Sequence, residues 1–206
     1  MTTFGSDVLI IGAGMSGLMA AHTLTDAGKR VVVVDKGRSV GGRLGTRRIG
    51  DGQADHGAQF FTVRVPRFGA RVNEWIKSNL VFEWSRGWSD GSLVETRDGH
   101  PRYAVRGGMN ALARSLAEGL DVRTQIEITA VHRINDGWQV EDINGRHFTA
   151  KALIMTAPAP QSLALLDAGK VPLEAEDRAA LEAIRYEPCI TGMFLINGDA
   201  SLPNPG

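Results

Sequence analysis

The sequence predicts an α/β fold whose first part is a parallel sheet wound with helices and whose second part is antiparallel. Three observations carry this. Residues 7–11 (Asp-Val-Leu-Ile-Ile) and 31–34 (four valines) are apolar runs without alternation, the pattern of strands buried on both faces. Between them lies Gly12-Ala13-Gly14-Met15-Ser16-Gly17, followed by helical spacing over 18–24. Further along, Asp90-Gly91, Asp136-Gly137 and Asn144-Gly145 are hairpin turns between alternating runs.

Composition narrows the classes. The chain has 206 residues, 43% hydrophobic and 22% charged, which suffices for a packed core and excludes wholesale disorder. Lys plus Arg is 23 and Asp plus Glu is 23, against the basic balance of a nucleic-acid binder. The lone Cys189 excludes a disulfide framework or a cysteine zinc site, and its apolar neighbours read as a buried strand. The five histidines, at 22, 56, 100, 132 and 147, lack metal-ligand spacing, so no metal is expected. No apolar run reaches the roughly 18 residues of a membrane span. The start carries no basic n-region, so a cytoplasmic protein without a membrane or nucleic-acid partner is expected.

The first elements form a complete β–α–β unit: a strand at 7–11, a helix ended by Gly28, and a strand at 31–34 closed by Asp35. Gly12 permits the tight turn, Gly14 lets backbone approach a pyrophosphate, and Gly17 lets helix pack on strand. Phosphates then rest against the free N–H groups at the helix start. Asp35, eighteen residues past Gly17, is placed to accept from ribose hydroxyls. Residues Gly12, Ala13, Gly14, Met15, Ser16, Gly17 and Asp35 are therefore candidate dinucleotide contacts. Ser16 is not a hydrolase elbow, because Gly14-Met15-Ser16-Gly17 is one residue short of that spacing.

The remaining elements follow in order. Residues 66–77 read as a helix with Pro66 at its first position, and 80–88 as a strand with alternating aromatics. Residues 92–95 and 102–105 are its pairing partners. Trp84, Trp88 and Tyr103 read as ordinary aromatic core. A helix spans 109–120, and 121–123 starts a strand. Residues 126–134, 138–143 and 146–149 form a three-stranded meander. An apolar strand at 152–157 stops at Pro158, a helix covers 172–184, and 189–196 is strand-like.

After Asp35 the chain does not enter another βα unit. Lys36-Gly37-Arg38-Ser39-Val40-Gly41-Gly42-Arg43 resembles the flavin-binding signature of the amine-oxidase-like FAD superfamily, which includes monoamine and polyamine oxidases, protoporphyrinogen oxidase and phytoene desaturases. Asp55-His56-Gly57-Ala58-Gln59-Phe60-Phe61, Arg106-Gly107-Gly108-Met109-Asn110-Ala111-Leu112 and Ile154-Met155-Thr156-Ala157-Pro158-Ala159-Pro160-Gln161 resemble renalase and its bacterial relatives. The resemblance covers essentially the whole chain. It implies noncovalent FAD, with Lys36, Gly41, Gly42 and Arg43 along the pyrophosphate and ribityl chain. It adds Ala58, Gln59 and Phe60 to the cofactor contacts and brings Val131 to the adenine end. The meander is then a crossover within the Rossmann-like FAD-binding domain, and an inserted α+β substrate domain covers the flavin ring, which makes substrate-pocket residues the alternative reading of Trp84, Trp88 and Tyr103.

The implied division is 1–62 and 106–160 for FAD, 63–105 and 161–206 for a substrate-domain portion. The implied chemistry is hydride transfer to flavin from a dihydronicotinamide isomer, related to NAD(P)H, or from an amine, with O2 as acceptor. No catalytic side chain is assigned, because the cofactor carries such chemistry; His56 beside Asp55 reads as packing. Resembled proteins are longer, and Pro203 and Pro205 forbid a helix after Gly198-Asp199. The chain is therefore expected to be truncated at its C-terminus, and a non-catalytic dinucleotide-binding domain is the alternative. An NAD-linked enzyme is disfavoured by Gly41-Gly42-Arg43.

Overall fold

The computed structural model describes residues 5–87 and 97–198. The chain runs β1 (Ser6–Ile11), α1 (Met15–Asp26), β2 (Val31–Val34), β3 (Thr46–Ile49), β4 (Gly52–Asp55), β5 (Phe61–Thr62), α2 (Pro66–Lys77), β6 (Val81–Gly87), β7 (Arg97–Val105) and α3 (Met109–Ala117). It continues through β8 (Asp121–Arg123), β9 (Ile128–Ile134), β10 (Gly137–Asp142), β11 (His147–Met155), α4 (Ala159–Ala168) and α5 (Ala175–Glu182). Contacts divide it into two units: Met1–Gly42 with Leu116–Cys189, and Arg43–Ser115 with Ile190–Gly206.

The first unit is the α/β part. Its six-stranded sheet has the order β8-β2-β1-β11-β10-β9. Strands β8, β2, β1 and the second half of β11 are parallel; β11, β10 and β9 form the antiparallel meander. The third meander strand and the apolar strand after it, read separately from the sequence, are one strand. Its residues 147–150 pair with β10 and 150–155 with β1, with Ala150 in both ladders. Burial explains the unalternating runs, since Leu9, Ile10, Val33 and Val34 are at most 1% exposed. Leu9, Ile11, Val34, Val131 and Val140 pack with Leu166 of α4 in one cluster. Helix α4 was not expected; Pro158 ends the strand but is also compatible with a helix start. Helix α5 occupies less than the expected 172–184.

The second unit is antiparallel. The hairpin β3–β4 pairs Thr46 with Asp55 and Arg48 with Gln53. A three-stranded sheet has the order β5-β7-β6. Phe61 anchors its apolar side, with its ring stacked 5.7 Å from Tyr103 and edge-on to Trp75 of α2. Tyr103 is thus a packing aromatic. Trp88, the Asp90-Gly91 turn and 92–95 lie outside the described residues.

One expectation is corrected. Residues 189–196 form no strand, Cys189 is exposed, and Ile190 and Phe194 are 97% and 86% exposed. An apolar β-branched run becomes a strand only with a partner ladder, and no described residue supplies one. Among the described residues, no helix is long and apolar enough to cross a membrane.

Candidate functional site

In the first unit the glycine turn joins β1 to α1. Gly12 has φ of +111°. A Cβ there would meet the Thr156 hydroxyl, and one on Gly17 would meet the Gly12 carbonyl oxygen. Both positions need glycine for close approach. Gly14 differs: a Cβ there would meet nothing within 4 Å, so its α-carbon borders open space. Gly14 is also the N-cap of α1, and no side chain caps that helix. Its first N–H groups and positive dipole end are available to an anion.

Two side chains hold this turn. The Asp35 carboxylate accepts from Ala13 N–H through Oδ2 and from Gly37 N–H through Oδ1, both at 2.7 Å. The sequence placed Asp35 against a ribose; in the structure its carboxylate ties the glycine turn to the end of β2. Thr156, at the end of β11, donates its hydroxyl to the Ile11 and Gly12 carbonyls at 3.0 and 3.2 Å. The loop carrying Gly41 and Gly42 closes on the same turn. Gly41 N–H donates to Ala13 O at 2.8 Å, and Gly14 and Gly41 form a parallel bridge. Lys36 is exposed, as is Ser16, while Met15 is half-buried.

Backbone at 123–126 lies alongside Asp35. Asp35 N–H donates to Arg123 O, Gln125 N–H to Gly37 O and Ile126 N–H to Asp35 O. The Arg123 guanidinium grips Asp121 at 2.8 and 2.9 Å and holds that carboxyl below its usual range. No sequence motif marked this segment. Val131 stands elsewhere: it is on the edge strand β9, its side chain is fully buried, and its carbonyl is approached by Gly169 so closely that a Cβ there would clash.

The other candidates belong to the second unit. Arg43 is exposed and its carbonyl accepts from Ala58 N–H at 2.9 Å. Gly57 allows that contact, since a Cβ would meet the Arg43 carbonyl. Phe60 lies 6.0 Å from Trp84, ring to ring. Two of the motifs meet here. Asp55 Oδ1 accepts from the Thr46 hydroxyl at 2.5 Å and from Met109 N–H at 2.9 Å, while Thr46 Oγ1 accepts from Asn110 N–H at 3.0 Å. The Asp55 motif thus caps the helix that follows Gly107-Gly108, 54 residues on. Thr46 was missed because its partners are far along the chain.

A cleft of about 450 Å³ opens beside this cap. Thr46, Gln53, Asp55 and Gln59 are among its lining residues, as are Phe82, Trp84, Gly107 and Gly108. Trp84 therefore faces a cavity as well as packing on Phe60. No group of three or more His, Cys, Asp or Glu suited to a metal occurs among the described residues.

Comparison with known proteins adds the following. Residues 85–195 match the family described as flavin containing amine oxidoreductase, and residues 10–75 match an NAD(P)-binding Rossmann-like domain. The L-amino-acid oxidase of Echis ocellatus is 36% identical over 95 residues, covering 42% of this chain and 18% of that protein. The putrescine oxidase of Kocuria rosea is 31% identical over 108 residues, covering 52% of this chain and 22% of that protein. Each match thus spans under a quarter of the curated relative's length. A solved double mutant of putrescine oxidase superposes with a TM-score of 0.67 at 17% identity, over 88% of this chain and 64% of that one. Putrescine oxidase bound to putrescine gives a TM-score of 0.61 at 17% identity, over 78% and 60%. These superpositions speak for the fold.

Proposed function

The chain belongs to the flavin-containing amine oxidoreductases, and on that premise we propose that it holds FAD noncovalently and serves the oxidation of a small reduced molecule. One observation carries the reading. Gly12 and Gly17 are packed without room for a side chain, while Gly14 borders open space at the uncapped start of α1. That is the arrangement a pyrophosphate fits. FAD, when bound, supplies the hydride acceptor, with O2 as the proposed reoxidant.

The chain's own residues then bind and orient. Backbone N–H groups at the start of α1 receive the phosphates, and Asp35, which takes the Ala13 N–H, and Thr156 keep the turn in shape. Lys36 and Arg43 offset phosphate charge. Gly41, Gly42, Ala58, Gln59 and Phe60 complete the proposed contacts; the 123–126 segment beside Asp35 is added to them and takes the place expected of Val131, which lies on the far edge strand. Pieces 1–62 and 106–160 are proposed to hold the flavin, 63–105 and 161–206 to belong to the substrate side. The proposed substrate is an amine or a dihydronicotinamide isomer, and the proposed location is the cytoplasm.

The test is the visible absorption spectrum of the purified chain with its intact mass. Flavin bands that pass into the supernatant after heat denaturation are expected. A protein that stays colourless after incubation with FAD refutes the reading and leaves a non-catalytic nucleotide-binding fold.

A further inference from the structure

We propose that the cleft in the second unit takes a ligand bearing an anionic group, a carboxylate or a phosphate, and that Arg48 together with the Gln53 amide is what holds it. This rests on the reading of the protein as an oxidoreductase acting on a small molecule.

Arg48 on β3 stands directly across from Gln53 on β4. Residues two apart on a strand share a face, and directly opposed residues share it too. Arg48 and Gln53 are therefore on the same face as Thr46 and Asp55, and three of these four line the cleft. Arg48 is exposed, and no hydrogen bond or ion pair engages it among the described residues. Arg86, by contrast, is forked onto Glu83, and Arg106 donates to Asn79. A guanidinium with a spare fork, on the same hairpin face as a side-chain amide that lines a cleft, is a recognition element for a planar carboxylate or a phosphate.

The rest of the cleft suits the rest of such a ligand. Phe82 and Trp84 give it an aromatic wall, and its volume is that of a small-molecule site. Asp55 fixes polarity. It lies two residues inward from Gln53, about 7 Å along the strand, so the anionic end belongs at Arg48 and an uncharged or amine end points inward. The field agrees: residues 43–115 carry twelve Lys and Arg against seven Asp and Glu.

The test is calorimetric titration of the full chain with benzoate, phenyl phosphate and the neutral benzamide, flavin content being recorded separately. Tighter binding of benzoate or phenyl phosphate than of benzamide, by about tenfold, is expected. The ratio should fall to near one in Arg48→Met and persist in Arg47→Met, whose side chain is on the other face of the hairpin. Which anion binds better identifies the source of the charge. Gln53→Leu, which keeps the guanidinium, should lower the ratio in part and guards against an Arg48 variant that folds poorly, as judged by circular dichroism. No binding of either anion, or a preference that survives in folded Arg48→Met, overturns the proposal. Flavin retained without the preference overturns this inference alone; the preference without flavin overturns the cofactor reading alone.

Discussion

Replacing Asp55 separates a capping role from a charge role. Its Oδ1 alone accepts both the Thr46 hydroxyl and the Met109 N–H. Met109 is 1% exposed, so water does not replace the lost acceptor readily. Asp55→Ala leaves that N–H unsatisfied, which costs about 1–3 kcal/mol, and the loss of an N-cap costs about 0.5–2 kcal/mol. The two figures describe overlapping losses, so about 2–3 kcal/mol is expected. Asp55→Asn keeps an oxygen at the same place and forfeits only the charge at the helix start, about 0.3–1 kcal/mol. In a chain of this size 1 kcal/mol moves Tm by roughly 2–4 °C. Asp55→Ala should therefore melt about 4–12 °C below the parent and Asp55→Asn about 1–4 °C below. The assay is urea and thermal unfolding followed by circular dichroism and by tryptophan fluorescence, with coincidence of the two probes required first. An alanine variant within about 0.5 kcal/mol of the parent, the scatter of an ordinary surface change, refutes the capping account. So does an asparagine variant as unstable as the alanine one, which would make charge, not acceptance, the cause.

Three further outcomes are expected. Gly14→Ala should leave the urea midpoint unchanged, since its Cβ meets nothing within 4 Å, yet lower the FAD-to-protein ratio; Gly17→Ala, whose Cβ would meet the Gly12 carbonyl, should lose both. Leu9→Ala removes a side chain 1% exposed at the centre of the sheet cluster and should cost about 2–5 kcal/mol in urea unfolding. For Asp142, burial pushes the carboxyl up, but Arg146 and the Asn144 N–H outweigh it and hold it below 3.8. A group depressed in the folded state stabilises above its unfolded value and loses that effect as pH falls through the folded one. The stability gap between parent and Asp142→Asn should thus be full at pH 6 and shrink below pH about 4; a gap that widens on acidification contradicts the assignment.

The α/β half was legible because its signals are local. Strands β1 and β2 announce double burial by four consecutive apolar residues each, and Gly12, Gly14 and Gly17 sit between them in fixed order. Asp35 was legible by position, yet its bonds to Ala13 and Gly37 were not, because a carboxylate's partner is set by where the loop after β2 returns. The Thr46–Asp55–Met109 cap was hidden for the same reason: its members are 9 and 54 residues apart. The 189–196 run misled because apolar β-branched composition reports a demand for burial, and meeting that demand takes a neighbouring ladder. Helix α4 was missed because Pro158 was weighed only as the end of a strand, whereas proline at a helix start is as much at home.

The double membership of Ala150 bears on the order in which the chain acquires its shape. Strand β1 is made first on the ribosome and finds β2 some twenty residues later, yet its other ladder waits for a partner 144 residues on. The meander has no such delay, because β9, β10 and the first half of β11 are joined by tight turns and pair locally. Its closure delivers the second half of β11, already aligned, to the bare flank of β1. Local pairing is fast and distant pairing slow, so the β1–β11 ladder is expected to be the last to protect its amides in pulsed hydrogen exchange. Until then the flank of a strand whose last four residues are all apolar stays open to solvent and to other chains, which makes that interval the one in which aggregation competes with folding.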